Sequence, residues 1–286
     1  MKVARFAPFV FVLLWSTGFV GAKYGLPYAD PFIFLSLRIF IAAAILFIIA
    51  AALKSRVAIG GRAIATSALI GFFLHTCYLG GVFFAISQGV PAGTAAVITS
   101  LQPVLVSLLA IKFLGERVRW LQGVGLLFGL IGVFLVLGPS FNGSISPLGF
   151  TAVFVALGGS TCATVLQKKF GAGIPLLAGT AYQYLASGFI LGVVAVATRR
   201  RHIQWNVSFA ASLVWLIFAL SVGAILLLLW LLNNGSAASV SSLFYLVPPA
   251  TATEAYFLFG EKVNAEGLFG IVITAVGVWL VLRSAN

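Results

Sequence analysis

Ten times along the chain, an apolar run of about twenty residues is closed off by a short stretch of Gly, Pro, Asn or charge. Twenty helical residues at 1.5 Å each cross a hydrocarbon core ~30 Å thick. The runs cover approximately 6–27, 31–53, 64–86, 91–114, 120–138, 147–168, 175–197, 211–232, 236–259 and 263–283. None alternates polar and apolar residues, as barrel strands do over about ten residues. Helices satisfy their own backbone groups inside lipid, so the expectation is an all-α polytopic membrane protein with ten transmembrane helices. Composition agrees: 62% of the residues are hydrophobic and 8% are charged, against roughly 25% charged in a soluble domain. The connections are too short to hold a soluble domain. The N-terminal apolar stretch is long and lacks a small-residue cleavage site, so it reads as a retained first span.

A net charge of +12 raises the question of nucleic acid. The basic residues lie in ones to threes between apolar runs, which is how topology determinants are distributed. No nucleic-acid partner is expected; the partners are the bilayer and a small-molecule substrate. With the N-terminus inside, Lys2, Arg5, Lys54, Arg56, Arg62, Lys112, Arg117, Arg119, Lys168, Lys169 and Arg283 collect on the inner side. Lys23, Arg199, Arg200, Arg201 and Lys262 collect outside, and Arg38 falls within a span. Eleven against five predicts that both termini are cytoplasmic, with the Arg199–Arg201 run as the discordant feature.

The chain also repeats itself. FLGERV at 113–118 returns as LFGEKV at 258–263, and a shift of 145 carries Pro103 onto Pro248, Glu116 onto Glu261, Gly125 onto Gly270 and Gly132 onto Gly277. The copies divide the chain at 1–140 and 141–286, five spans each. Five is odd, so the second copy enters the membrane upside down. Such inverted repeats are the mark of alternating-access carriers, whose two mirror-related conformations are nearly equal in energy.

The ten spans, the two repeats, WSTGF in the first span, LRIFIAA in the second and a Pro followed by LGE at the end of the fourth together resemble the drug/metabolite transporter superfamily. Within it the chain resembles the EamA-type exporters, a group that includes bacterial amino-acid exporters. The resemblance covers essentially the whole chain. It implies a cavity lined by spans one, three and four and their counterparts six, eight and nine, with spans five and ten packed away from it.

Candidate site residues follow from depth. Trp15, His75, Gln102 and Tyr245 each lie nine to eleven residues into a span, hence ~14–17 Å deep, where carrier sites sit. His75 and Tyr78 are three apart and predicted to share a helix face. Ser160, Thr161 and Gln167 add polar groups from the sixth span. Ser and Thr in spans also bond their own backbone, and rings also fill space, so helix packing competes with ligand binding at each position. Charge inside a span is costly and points to function. Lys23, Arg38 and Glu254 are expected at similar outer depth, with Glu254 paired to Arg38 or Lys23 as an external gate or a structural tie. Pro103, Pro248 and Pro249 remove helical hydrogen bonds mid-membrane and are expected to kink spans four and nine. Gly115-Glu116 and Gly260-Glu261 read as devices that end a helix. Gly125 and Gly129 read as intramolecular packing positions, and a monomer is expected.

Cys77 and Cys162 lack metal-ligand spacing, and no GxxxxGK[ST] loop or HExxH motif is present. No cofactor or metal is expected. The leading expectation is a secondary carrier that exports small metabolites, amino acids including aromatic ones, across the inner membrane. A sugar or nucleotide-sugar carrier is the alternative within transport. A lipid-acting membrane enzyme or a non-transporting scaffold is the alternative outside it, and an enzyme would need convergent acid–base groups.

Overall fold

The computed structural model describes residues 2–90, 95, 98–137, 146–199, 201–259 and 265–285. Among these the chain is all-helical, and its only β contact is an isolated bridge between Ala29 and Ile203. Six helices are long and apolar enough to cross a membrane: Pro31–Ala52, Gly61–Ser87, Pro147–Phe170, Leu176–Ala197, Val207–Asn234 and Ala265–Arg283. Shorter apolar helices cover Phe6–Ala22, Gln102–Leu114 and Trp120–Leu135.

Local chemistry sets the ends. Pro31 and Pro147 occupy the first helical turn, where a missing N–H is free of cost. Asn206 Oδ1 accepts from Phe209 N at 2.8 Å and Ser236 Oγ from Ser239 N at 3.1 Å, each capping the helix that follows. Gly115 ends the Gln102–Leu114 helix at φ +67°, a left-handed conformation suited to glycine. Glu116 then reaches across the fold. Its Oε1 accepts from Ala237 N at 2.8 Å and its Oε2 from Ala238 N at 3.4 Å, so it caps another helix as well as closing its own. Its counterparts Gly260 and Glu261 lie outside the described residues.

The spans at 91–114 and 236–259, which carry Pro103, Pro248 and Pro249, are interrupted beside those prolines. The Gln102–Leu114 helix begins after a turn at 100–101, with Pro103 in its first turn. The Ala237–Ser242 helix passes through a 3-10 turn, Leu243–Leu246, before Val247–Phe259 begins with Pro248 and Pro249 in its first turn. Proline has no N–H to give the preceding turn, so a fresh helix starts there.

Two helix pairs frame the molecule. The Trp120–Leu137 and Ala265–Ala285 helices touch through glycine. A Cβ on Gly125 would lie 2.6 Å from the Gly277 carbonyl oxygen, and one on Gly132 would lie 2.6 Å from that of Gly270. As position rises on one helix it falls on the other, so the helices run antiparallel. The Pro31–Ala52 and Leu176–Ala197 helices also cross antiparallel: Ser36 Oγ donates to the Gly188 carbonyl at 2.9 Å, and Phe47 meets Tyr182 with ring centroids 5.3 Å apart.

At one end, Gln204 N donates to the Tyr28 carbonyl at 2.7 Å and His202 N to Asp30 Oδ2 at 2.8 Å. At the other, Lys168 Nζ donates to the carbonyls of Leu232 at 3.1 Å and Gly235 at 2.6 Å, beside the Glu116 cap.

Candidate functional site

The centre of the molecule is an aromatic partition. Trp15, on the Lys2–Gly25 helix, stacks on Tyr78 with centroids 6.3 Å apart and planes 11° from parallel. Phe11 and Phe244 brace Trp15, each with its centroid 5.2 Å away. Trp15 and Tyr78 are both buried, and both line two cavities. The first, about 450 Å³ including space open to its surroundings, is bounded by Gly18, Ala22, Arg38, Val82, Phe83, Leu220 and Ile225. The second, about 290 Å³, is bounded by Thr99, Ser100, Gln102, Phe244, Val247 and Pro248. A third, about 240 Å³, lies away from the stack and is lined by Ser67, Gln167, Gln183 and Asn233 among others.

Backbone geometry aims these side chains. Residues Phe72–Leu79 and Leu216–Ala224 are π-helical segments inside otherwise α-helical spans. π segments are rare and recur at functional sites, because the wider turn re-aims the side chains. One consequence departs from the sequence reading. His75 and Tyr78 are three apart but do not share a face: Tyr78 forms the partition, whereas the His75 ring packs on Tyr184 at 4.7 Å and lines none of the three cavities. His75 is fully buried, and neither ring nitrogen has a hydrogen-bond partner.

Arg38 is 3% exposed. Its Nε donates to Ser221 Oγ at 2.8 Å, and the Tyr184 hydroxyl donates to the Ser221 carbonyl. Glu254 faces the Lys2–Gly25 helix and receives a hydrogen bond from Ser16 Oγ at 2.5 Å, while its Oε2 is buried without a partner. The expected pairing of Glu254 with Arg38 is therefore not formed. The helix carrying Glu254 packs on the first span, and Arg38 turns to the second π segment. The Lys23 side chain lies outside the described residues.

The other candidates separate. Gln102 borders the second cavity, and its Nε2 donates to Thr164 Oγ1 at 3.1 Å and to the Ser160 carbonyl at 3.4 Å. The Ser160 and Thr161 hydroxyls both donate to the Leu157 carbonyl, at 3.0 and 2.7 Å, and neither residue lines any of these three cavities. Tyr245 is fully buried with an unpartnered hydroxyl, and its ring packs where a Gly129 Cβ would be, 2.5 Å away. Pro248 borders the second cavity. Gln167 borders the third, and its Oε1 accepts from Gln183 Nε2 at 3.3 Å.

Sequence reasoning missed Ser221, Tyr184 and the Thr99–Ser100 pair. Ser221 is one hydroxyl in the apolar run LIFALSVGA, and that isolation was the available signal. No group of three or more metal-ligating side chains occurs among the described residues.

The model of the EamA-like transporter family matches residues 4–138 and again 147–283. An uncharacterized transporter, YvbV, of Bacillus subtilis is 27% identical over 94% of this chain and 88% of its own length. A probable amino-acid metabolite efflux pump of Salmonella typhimurium is 25% identical over 96% of this chain and 93% of its own. An S-adenosylmethionine uptake transporter of Rickettsia bellii is 24% identical over 76% of this chain and 70% of its own. A protein crystal structure, 20% identical, superposes with a TM-score of 0.82 over 100% of this chain and 98% of that one, a likeness of fold.

Proposed function

This chain belongs to the EamA-like transporter family, one of transporters and not of enzymes, and we propose that it is a secondary carrier exporting small metabolites, foremost amino acids including aromatic ones. The observation that carries this reading is the Trp15–Tyr78 stack shared as a wall by two cavities. Rings on one side and amide and hydroxyl groups on the other suit a small zwitterion with an apolar side chain. Moving the stacked pair would join the chambers.

The mechanism in this reading is alternating access by two inverted five-span copies in the bacterial inner membrane, with both termini cytoplasmic. Three findings support it. The family model matches the chain twice, once in each half. The glycines of spans five and ten pack crosswise, Gly125 on Gly277 and Gly132 on Gly270, so that exchanging the copies returns the same contacts with the helices antiparallel. The π segments fall at equivalent places in the third and eighth spans. The amino-acid efflux name of the Salmonella typhimurium relative supports both substrate and direction. Uptake is the second reading, favoured by the name of the Rickettsia bellii relative.

Counterflow in proteoliposomes tests this, using a panel of labelled amino acids and sugars with and without a pH gradient. Exchange of aromatic amino acids is expected. Exchange confined to sugars would overturn the substrate, and no exchange of any compound would overturn the carrier.

A further inference from the structure

Arg38 is the one charged residue lining the larger chamber. Its sole hydrogen bond among the described residues runs from Nε to Ser221 Oγ. The described acids are all engaged elsewhere or remote: Asp30 with the His202 amide, Glu116 with the Ala237 and Ala238 amides, Glu254 with Ser16, and Glu266 exposed at the start of the last helix. A guanidinium withdrawn from water without a counter-charge costs several kcal/mol. Ion-bearing side chains inside spans face cavities for that reason. The fork is also held in place. Ser221 fixes Nε, and Tyr184 fixes Ser221 through its carbonyl. With Nε bound, the terminal nitrogens are the donors left for the chamber, and a guanidinium presents them in a geometry that matches a carboxylate.

The rest of the lining selects among anions. Val82, Phe83, Leu220 and Ile225 are apolar, and Trp15 and Tyr78 close the far wall. A hydrated inorganic anion would exchange its water for Arg38 and mostly apolar walls. A carboxylate with an apolar or aromatic body would place its charge on Arg38 and its body against those side chains.

We infer that the chamber is a binding site for organic carboxylates, with Arg38 as the carboxylate anchor and Ser221 and Tyr184 as its positioning residues. This rests on the carrier reading and narrows its substrate to compounds with a free carboxylate next to an apolar body.

The test compares ligands on the unaltered full-length protein in detergent, by titration calorimetry. L-Phenylalanine and 3-phenylpropionate carry the carboxylate; L-phenylalaninamide and phenethylamine do not. The two acids are expected to bind at least tenfold more tightly than the other pair, and chloride at equal ionic strength is expected not to displace them. In Arg38→Gln the preference should vanish, and Arg38→Lys should retain part of it. Equal affinity for acid and amide, displacement by chloride, or no binding of any of the four overturns the inference. So does an acid preference that survives in Arg38→Gln. Proteoliposome counterflow separates the two claims. Exchange of the amide as fast as the acid would leave the carrier standing without its carboxylate anchor, whereas acid-selective binding with no exchange would do the reverse.

Discussion

Two interfaces in this molecule occupy equivalent positions in the repeat, and they are packed in opposite ways. The Pro147–Phe170 helix meets the first π segment through backbone. A Cβ on Gly159 would lie 2.7 Å from Cys77 Cβ, 2.8 Å from the Phe73 carbonyl oxygen and 2.9 Å from Tyr78 N. The Lys2–Gly25 helix meets the second π segment through side chains: the Gly18 position looks onto Leu220 Cδ1 at 3.2 Å, and the larger chamber opens beside it. One interface is sealed and the other holds a cavity. A common backbone plan has thus been given two packings, and under the proposed alternating access this is the kind of asymmetry that would be exchanged between states. The chemistry diverges too. Under the 145 shift Arg38 corresponds to Gln183, His75 to Leu220 and Trp15 to Ser160. The frame repeats, while the side chains at matching positions do not.

The largest expected effect comes from prying open the sealed interface. Gly159→Val would press branched carbons into backbone atoms that cannot move aside, a loss of about 3 kcal/mol or more. Thermal unfolding of the purified protein in detergent measures it. Unchanged stability would show that this interface is looser than its geometry. Second, Ser221→Ala removes the Nε hydrogen bond of Arg38 and should cost about 1–2 kcal/mol in the same assay. It should also weaken carboxylate binding, because the fork is then free to turn.

The cavity-bearing interface is tested from its other wall. Gly18→Leu would extend a side chain past the flexible Leu220 and into the chamber. Folding should survive, and ligand affinity should fall about tenfold, or about 1.4 kcal/mol. Full affinity would show that ligand does not occupy this chamber. Next, Glu116→Ala removes the carboxylate cap from the helix that starts at Ala237 and leaves it the Ser236 cap alone, at about 1 kcal/mol. The readout is the melting temperature, and an unshifted value would mean that solvent caps that helix equally well.

Much of the frame was readable beforehand, because apolar length and repeat spacing are linear properties. The helices at 31–52, 120–137 and 176–197 begin and end within a residue or two of the expected bounds. The crosswise glycine packing was implicit in the positions of Gly125, Gly132, Gly270 and Gly277. What stayed hidden depends on side-chain direction. A π segment differs from an α-helix by which carbonyl each amide meets, and no residue in FFLHTCYL announces the change. That concealment placed His75 on the Tyr78 face. Ser160 and Thr161 had the right depth, but their hydroxyls turned to the Leu157 carbonyl, an option open to any helical Ser or Thr. Tyr245 also had the right depth, and Gly129 offered its ring a slot on the opposite side. Arg38 was marked by its cost, but its partner was not, since Ser221 lies 183 residues away.

The smallest effect is expected at the position that mirrors Ser221. The 145 shift sets Ser221 on Thr76, and both are hydroxyls in π segments. Ser221 holds Arg38, whereas Thr76 Oγ1 is buried without a partner. An unpaired hydroxyl contributes nothing and carries its desolvation cost, so replacing it with a methyl of the same shape removes a cost without removing a bond. Thr76→Val should therefore leave stability within about 0.5 kcal/mol of the starting protein, or raise it, and leave ligand affinity unchanged. The contrast with Ser221→Ala is the measurement. Equal losses at the two sites would mean that both hydroxyls support the π geometry itself. A loss confined to Ser221 would assign the asymmetry to the guanidinium it holds.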